Sequence, residues 1–140
     1  MINQLLNTMY NLNIKIKEKD NKTKLIYEHG LIDDGIKEQI KLNKKELLQW
    51  IDENETARKI GFLVYNHGQL YEYRFGRGSY LFVERLPNGK ASSWRENYKE
   101  GDRKAYRTKS IVQNVPFERA FEEAASFIDW LNKKRGKKVG

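Results

Sequence analysis

The stretch GFLVYNHGQLYEYRFGRGSYLFVERLPNGKASSWRENYKEGDRKAYRTKSIV, residues 61–112, decides the fold. Its short apolar and aromatic runs are separated by four turn signals: Asn66-His67-Gly68, Gly76-Arg77-Gly78, Pro87-Asn88-Gly89 and Gly101-Asp102. Glycine and asparagine tolerate the positive φ that tight hairpin turns require. The pattern predicts an antiparallel meander with strands at residues 62–65, 70–75, 80–86, 91–98 and 104–112.

Alternation within these strands predicts which side chains share a face. In the strand at 80–86, Leu81 and Val83 alternate with Tyr80 and Phe82, so both faces are apolar at its start. A strand that is apolar on both faces is typical of the centre of a sheet, where both sides are partly covered.

Two amphipathic helices flank the meander in the sequence. Asn43 followed by Glu46 is a capping-box pattern, and it predicts a helix at residues 43–60 with Asn43 as its N-cap. A proline start, a continuous apolar stripe and a change from acidic to basic residues predict a second helix at 116–135. We expect both helices to cover the concave face of the sheet.

The N-terminal region has weaker signals. Apolar spacing predicts a short helix within the first ten residues, and alternation predicts a hairpin at 13–28 that turns at Asp20-Asn21. The hairpin lysines are expected to line its solvent face. Residues 31–35 indicate a turn, residues 36–42 a short third strand or an irregular segment, and residues 136–140 a basic tail.

These features predict an α+β fold in a single domain of 140 residues. It is an antiparallel β-meander of about five strands packed against two amphipathic helices, with a short N-terminal helix and hairpin in residues 1–42. The apolar fraction of 39% is sufficient for one modest core.

Composition excludes several classes of site. The chain has no cysteine, which excludes disulfides and thiolate metal sites. No apolar run approaches the roughly 20 residues of a membrane span, and the N-terminus lacks a secretory pattern, so we expect a cytoplasmic protein without a membrane partner. His29 and His67 are the only histidines, and Asp33-Asp34 is typical of a solvated turn, so no metal and no cofactor are expected.

The net charge of +8 is uneven along the chain. Residues 1–60 hold 11 Lys/Arg against 10 Asp/Glu, whereas residues 61–140 hold 16 against 9. Such asymmetry favours a polyanionic partner for the second half.

The meander supplies candidate residues for such a partner. Arginine and lysine can hold phosphates, and aromatic rings can stack on bases. The candidate nucleic-acid-binding residues are Arg74, Arg77, Arg85, Lys90, Trp94, Arg95, Tyr98, Arg103, Lys104, Arg107 and Lys109. We expect them to form one positive surface of a non-enzymatic nucleic-acid-binding protein of a phage or mobile element. The segment 80–134, strands followed by a helix, resembles in layout the sheet-plus-helix DNA-binding modules of phage integrases.

Two alternatives remain open. A small metal-independent ribonuclease would need a base, an acid and cations around a phosphate, which His67, Glu72, Tyr73, Arg74, Arg77 and Arg85 could supply. In composition and strand–helix pattern the chain resembles bacterial toxin ribonucleases. An inhibitor of a host protein, or of its bound nucleotide or nucleic acid, is the other alternative, because Lys-, Asn- and Ile-rich composition is typical of phages and mobile elements of AT-rich bacteria.

Overall fold

The structure is a computed structural model that describes residues 2–20, 22–27 and 32–136. Residue contacts divide it into two compact units. The N-terminal unit holds the described residues up to Thr56 together with Asn66–Gly68, and the C-terminal unit holds Ala57–Tyr65 and the described residues from Gln69 onwards. The single domain expected from the sequence stays a prediction. Asn21, His29 and most of the basic tail lie outside the described residues.

The N-terminal unit contains helices and one hairpin. Its elements are α1 (Ile2–Asn11), β1 (Lys15–Lys19), β2 (Lys22–Ile26), α2 (Asp34–Leu42) and most of α3 (Lys44–Ile60). The strands β1 and β2 pair antiparallel, as the alternation predicts. The apolar stripes meet in one core, whose buried members are Ile2, Leu6, Met9, Ile14, Ile16, Ile40 and Leu47.

The prediction for residues 36–42 was wrong, because this segment is the helix α2. Asp33 is its N-cap: the side-chain carboxylate accepts the backbone N–H of Ile36 at 2.7 Å. That bond satisfies a donor that the first helical turn leaves unpaired. Ile36 and Ile40 are then one turn apart on the buried stripe, and Ile40 is fully buried.

Asn43 also has a different role from the predicted one. It is the C-cap of α2, and its side-chain amide donates to the carbonyl of Gln39 at 2.8 Å. The helix α3 begins at the next residue, so the predicted helix at 43–60 is confirmed while its predicted cap is not. A positive φ of 119° at Gly61 follows the end of α3.

The C-terminal unit confirms the predicted meander. Its strands are β3 (Leu63–Tyr65), β4 (Leu70–Gly76), β5 (Ser79–Arg85), β6 (Ala91–Asn97) and β7 (Arg107–Val115), and they lie in that order in one antiparallel sheet. The strand β5 is central, as its two apolar faces indicate. The helix α4 (Phe117–Lys134) follows β7.

Strand β7 lies three residues later than predicted. Its pairing with β6 starts at Arg107 opposite Asn97 and ends at Val115 opposite Ala91. Gln113 and Asn114 look like a loop in the sequence, but the register shifts there and Asn114 takes a positive φ of 55°, so the strand continues past them.

One face of the sheet packs against α4, and we call it the helix face. Leu81 and Val83 lie on it, fully buried in one core with Ala120, Ala124 and Ile128 of α4. Ala57, at the end of α3, joins this core, whereas Leu47 of the same helix belongs to the core of the N-terminal unit. Because strand side chains alternate, Tyr80, Phe82 and Trp94 lie on the opposite face, which we call the outer face.

Candidate nucleic-acid interface

The predicted cations do not share one face of the sheet. Arg85 and Arg95 have the parity of the helix face, and both stack on rings of α4. The guanidinium of Arg85 lies 3.7 Å from the ring centroid of Phe117, and that of Arg95 lies 4.5 Å from the centroid of Phe127. Arg85 also donates to the hydroxyl of Tyr71 at 3.3 Å. These two arginines therefore hold the helix against the sheet.

The remaining predicted cations are exposed at several places. Arg107 and Lys109 are paired with Asn97 and Arg95, so they have the parity of the helix face. Lys90 lies in the turn between β5 and β6, and two further cations, Arg103 and Lys104, lie in the loop before β7. Because Arg77 lies in the turn between β4 and β5, the expected single positive surface is divided between two faces and three connections.

Four aromatic side chains form a row across the outer face. Tyr80 stacks on Phe82 with centroids 6.1 Å apart, and Phe82 stacks on Trp94 with centroids 5.3 Å apart. Tyr98 meets Tyr80 edge-on at 5.6 Å. All four are partly exposed. We call Tyr80, Phe82, Trp94 and Tyr98 the aromatic row.

A single carboxylate holds two members of this row, Trp94 in the middle of β6 and Tyr98 just after its end. One oxygen of Glu96 accepts the indole N–H of Trp94 at 2.8 Å, and the other accepts the hydroxyl of Tyr98 at 2.5 Å. The hydrogen bond to Glu96, assisted by burial and by the charge of Glu96, raises the pKa of Tyr98 above its ordinary value of 10.0. The two rings are thus held in fixed orientations before any ligand arrives.

A cleft of about 580 Å³ opens beside the row, between the β4–β5 turn and the β6–β7 loop. Tyr80, Phe82 and Tyr98 contribute its aromatic lining. Its charged lining is balanced, with three cations (Arg74, Arg77, Lys99) and three acids (Glu72, Glu100, Asp102). Two of the cations are already paired, because Arg74 lies 3.3 Å from Glu72 and Arg77 lies 3.4 Å from Glu100.

The same carboxylate of Glu72 acts on a third tyrosine of the outer face. Tyr65 donates its hydroxyl to Glu72 at 3.3 Å. Burial and the neighbouring charge of Glu72 raise the pKa of Tyr65, while Arg74 opposes the shift. Glu72 therefore binds Tyr65 and Arg74 together at the edge of the cleft.

Gly78 permits the close approach that shapes this cleft. Its carbonyl accepts the backbone N–H of Tyr98 at 2.7 Å, and its φ is 72°. A Cβ at this position would lie 2.4 Å from the carbonyl oxygen of Tyr98. Only glycine allows the β4–β5 turn to lie against Tyr98 in this way.

Of the predicted interface, the structure brings Arg74, Arg77, Trp94 and Tyr98 to the outer face or its cleft. The candidate residues chosen from the sequence do not include Tyr80, Phe82, Lys99 or Glu96. A usable signal was present, because Trp94, Glu96 and Tyr98 are two positions apart and alternate residues of an extended strand share a face.

Of the six residues considered for a ribonuclease, Glu72, Arg74 and Arg77 line the cleft. Glu72 and Arg74 lie on the outer face, whereas Tyr73 and Arg85 have the parity of the helix face. His67 is in the N-terminal unit, where its ring contacts Asn7 at 3.2 Å. Within residues 2–20, 22–27 and 32–136, no group of three or more potential metal ligands occurs.

Comparisons with protein-family models, with curated protein sequences and with solved structures found no match. Among the described helices, none is long and apolar enough to cross a membrane.

Proposed function

We propose that this protein is a non-enzymatic nucleic-acid-binding protein that holds single strands on the outer face of its sheet. The observation that carries the proposal is the aromatic row. Bases present flat faces that stack on aromatic side chains, and partly exposed rings on an antiparallel sheet are a common platform for single strands. Glu96 orients Trp94 and Tyr98 in advance, so less ordering is required when a strand binds.

Charge contributes less than stacking to this proposed interface. The cations around the cleft are matched by acids, and two of them are already in ion pairs. A phosphate must compete with Glu72 for Arg74 and with Glu100 for Arg77. We therefore expect about two net phosphate contacts, which corresponds to a log–log salt slope of about −1.4 on single strands.

Substitution of Tyr80 tests the proposal. Tyr80→Leu keeps an apolar side chain of moderate size but removes the ring, and one base stack is worth about 1 to 3 kcal/mol. Binding of fluorescent oligo-dT and oligo-U, measured by anisotropy, should weaken about tenfold or more. Trp130→Ala removes an exposed ring from α4 instead, so it is the control and should bind as the unaltered protein does. Equal binding by all three proteins would refute the proposal.

A protein partner is the second candidate, and the balanced charge of the cleft favours it. A partner surface that presents both signs of charge would complement three cations and three acids better than a polyanion would. Capture from nuclease-treated lysate by the unaltered protein, lost with Tyr80→Leu and kept with Trp130→Ala, would support this candidate. Capture that disappears after nuclease treatment would exclude it.

A further inference from the structure

The hairpin of the N-terminal unit gathers five lysines on one face. In the register of β1 and β2, Lys17 lies directly opposite Lys24 and Lys19 lies opposite Lys22. Lys15 lies on the same face, opposite Ile26, because alternate residues of a strand share a face. We call Lys15, Lys17, Lys19, Lys22 and Lys24 the lysine face, and all five residues are exposed.

The fold determines which way this face points. Ile14 and Ile16 are buried in the core of the N-terminal unit. Ile16 and its partner Leu25 lie on the face opposite the lysines, so burying them directs the lysines to solvent. Glu18 has the parity of Ile16 and is therefore on the other face as well.

The lysine face opposes folding of the hairpin. Like charges directly opposite each other across two strands are destabilising, and here two such pairs are adjacent. Among the described residues, none of the five lysines is ion-paired with a carboxylate. Any polar residues would suit a solvent-exposed face, so solvent exposure alone does not explain five residues of the same positive charge. Their grouping indicates an anionic ligand.

The dimensions and chemistry of the face fit a nucleic-acid duplex. Alternate residues of a strand are about 6.8 Å apart and paired strands are about 5 Å apart. The Cα atoms of the five lysines therefore span a patch of about 14 by 5 Å. A duplex carries one phosphate charge per about 1.7 Å of its axis, and its major groove admits a two-stranded ribbon.

The residue types favour contact with the phosphate backbone of a duplex rather than with bases. Lysine is a compact point charge without the fork that arginine offers to a guanine edge. The lysine face includes no aromatic ring, so it has no platform on which unpaired bases could stack. Among the paired residues of β1 and β2, Ile26 is the only apolar residue on the same side as the lysines, which leaves little to insert into a lipid surface.

We propose that the lysine face of the β1–β2 hairpin binds the phosphate backbone of duplex nucleic acid independently of sequence. This site is in the N-terminal unit and does not rest on the aromatic row. It would take about four phosphates, which predicts a log–log salt slope of about −3.6 for a duplex.

Paired glutamine substitutions test the site. K17Q/K24Q removes two opposed charges and keeps the side-chain length, whereas the control K44Q/K45Q removes two exposed lysines at the start of α3. The probe is a fluorescent duplex of about 20 base pairs of mixed sequence, titrated with the full chain between about 50 and 200 mM KCl. Circular dichroism checks that each variant is folded.

We expect K17Q/K24Q to bind the duplex at least about tenfold more weakly at 100 mM salt, with a slope shallower by about 1.8. The control should keep its affinity within about twofold and its slope within experimental error. Equal losses in the two variants would show a response to net charge alone and would overturn the proposal, as would an unchanged slope in K17Q/K24Q.

Two further measurements distinguish this proposal from a membrane-binding site and from the proposal for the aromatic row. Vesicles of phosphatidylserine and phosphatidylcholine are the second probe, and binding to them that needs Lys17 and Lys24, without duplex binding, would assign the face to a membrane instead. Tyr80→Leu should bind the duplex as the unaltered protein does. If the unaltered protein binds the duplex but not single strands, the proposal for the aromatic row is refuted. If it binds single strands but not the duplex, the proposal for the lysine face is refuted.

Discussion

The role of Glu96 in the structure differs from the role that its charge indicates in the sequence. In the sequence it is an acid that offsets the charge of nearby arginines. In the structure its two oxygens hold Trp94 and Tyr98, so it is part of the proposed interface rather than a counterweight to it. The type of residue was visible in advance, but its two partners follow only from the shared face of β6.

Substitution of Glu96 should therefore be visible in the ionisation of Tyr98. Glu96→Gln replaces the carboxylate whose hydrogen bond and charge favour the protonated hydroxyl, so the pKa of Tyr98 should fall toward its ordinary value. The tyrosine ¹³Cζ shift, followed by NMR through an alkaline titration, measures this. Glu100→Gln is the control, because Glu100 does not contribute to the shift at Tyr98. An unchanged titration in Glu96→Gln would contradict the assignment.

The sign of the pH effect on stability follows from the same raised pKa. The folded state binds the Tyr98 proton more tightly than the unfolded state does. The hydrogen bond to Glu96 thus contributes fully below a pH of about 10 and is lost as the pH rises through the raised pKa. Removing the hydroxyl in Tyr98→Phe would remove this pH-dependent contribution.

Gly78 offers a test of the local geometry of the cleft. Gly78→Ala adds a Cβ that meets the carbonyl of Tyr98 at 2.4 Å in a residue with a φ of 72°. Gly89→Ala is a matched control, because its φ is 82° but a Cβ there meets nothing within 4 Å. We expect a loss of unfolding free energy of about 1 kcal/mol for Gly89→Ala and about 2 kcal/mol or more for Gly78→Ala. Urea unfolding measures both, and equal losses would contradict the close approach.

At the scale of elements, the sheet could be predicted because its signals are local. Each turn contains glycine or asparagine, each strand alternates, and the two apolar faces of β5 indicate its central place. Helix α2 could not be recognised so easily, because Asp33 and Gly35 also suit a turn. The cap at Asp33 is a local contact that a turn would also allow, so the decisive fact is the burial of Ile40, which depends on tertiary packing.

The candidate site was predictable only in part for the same reason. Alternation assigns Arg107 and Lys109 to one side of their strand, but it does not say which side of the sheet α4 covers. The stacking of Arg85 on Phe117 joins residues of two different elements, and the sequence pattern around neither residue predicts it. The prediction that Arg85, Arg107 and Lys109 belong to the interface therefore rests on their charge alone.

The hairpin permits a prediction in which stability and binding change in opposite directions. Lys24→Glu places an acid directly opposite Lys17, so a repulsive pair across the strands becomes an attractive one. The free energy of unfolding should rise by about 0.5 kcal/mol, as measured by urea unfolding. Duplex binding should fall in the same variant, because one phosphate contact is replaced by repulsion. A loss of both stability and binding would mean that Lys24 has a structural role.

For the whole molecule, net charge was a poor guide to where a polyanion could bind. Residues 61–140 carry most of the excess charge, yet their cations lie on two faces and several pair with acids or stack on rings. Residues 1–60 are almost neutral, yet their hairpin holds the five lysines together. Convergence of charge is a property of register and burial, which a sum over the sequence does not contain.

The two proposed surfaces should give the whole protein two different salt responses. Duplex binding by the lysine face involves about four phosphate contacts, which gives a log–log salt slope of about −3.6. Single-strand binding on the aromatic row has a log–log salt slope of about −1.4. Raising salt from 50 to 200 mM should thus weaken duplex binding about 150-fold and single-strand binding about sevenfold. The ratio of duplex affinity to single-strand affinity should therefore fall about 20-fold over this range of salt. Anisotropy with both probes on one preparation measures this, and parallel slopes would show that the same surface binds both.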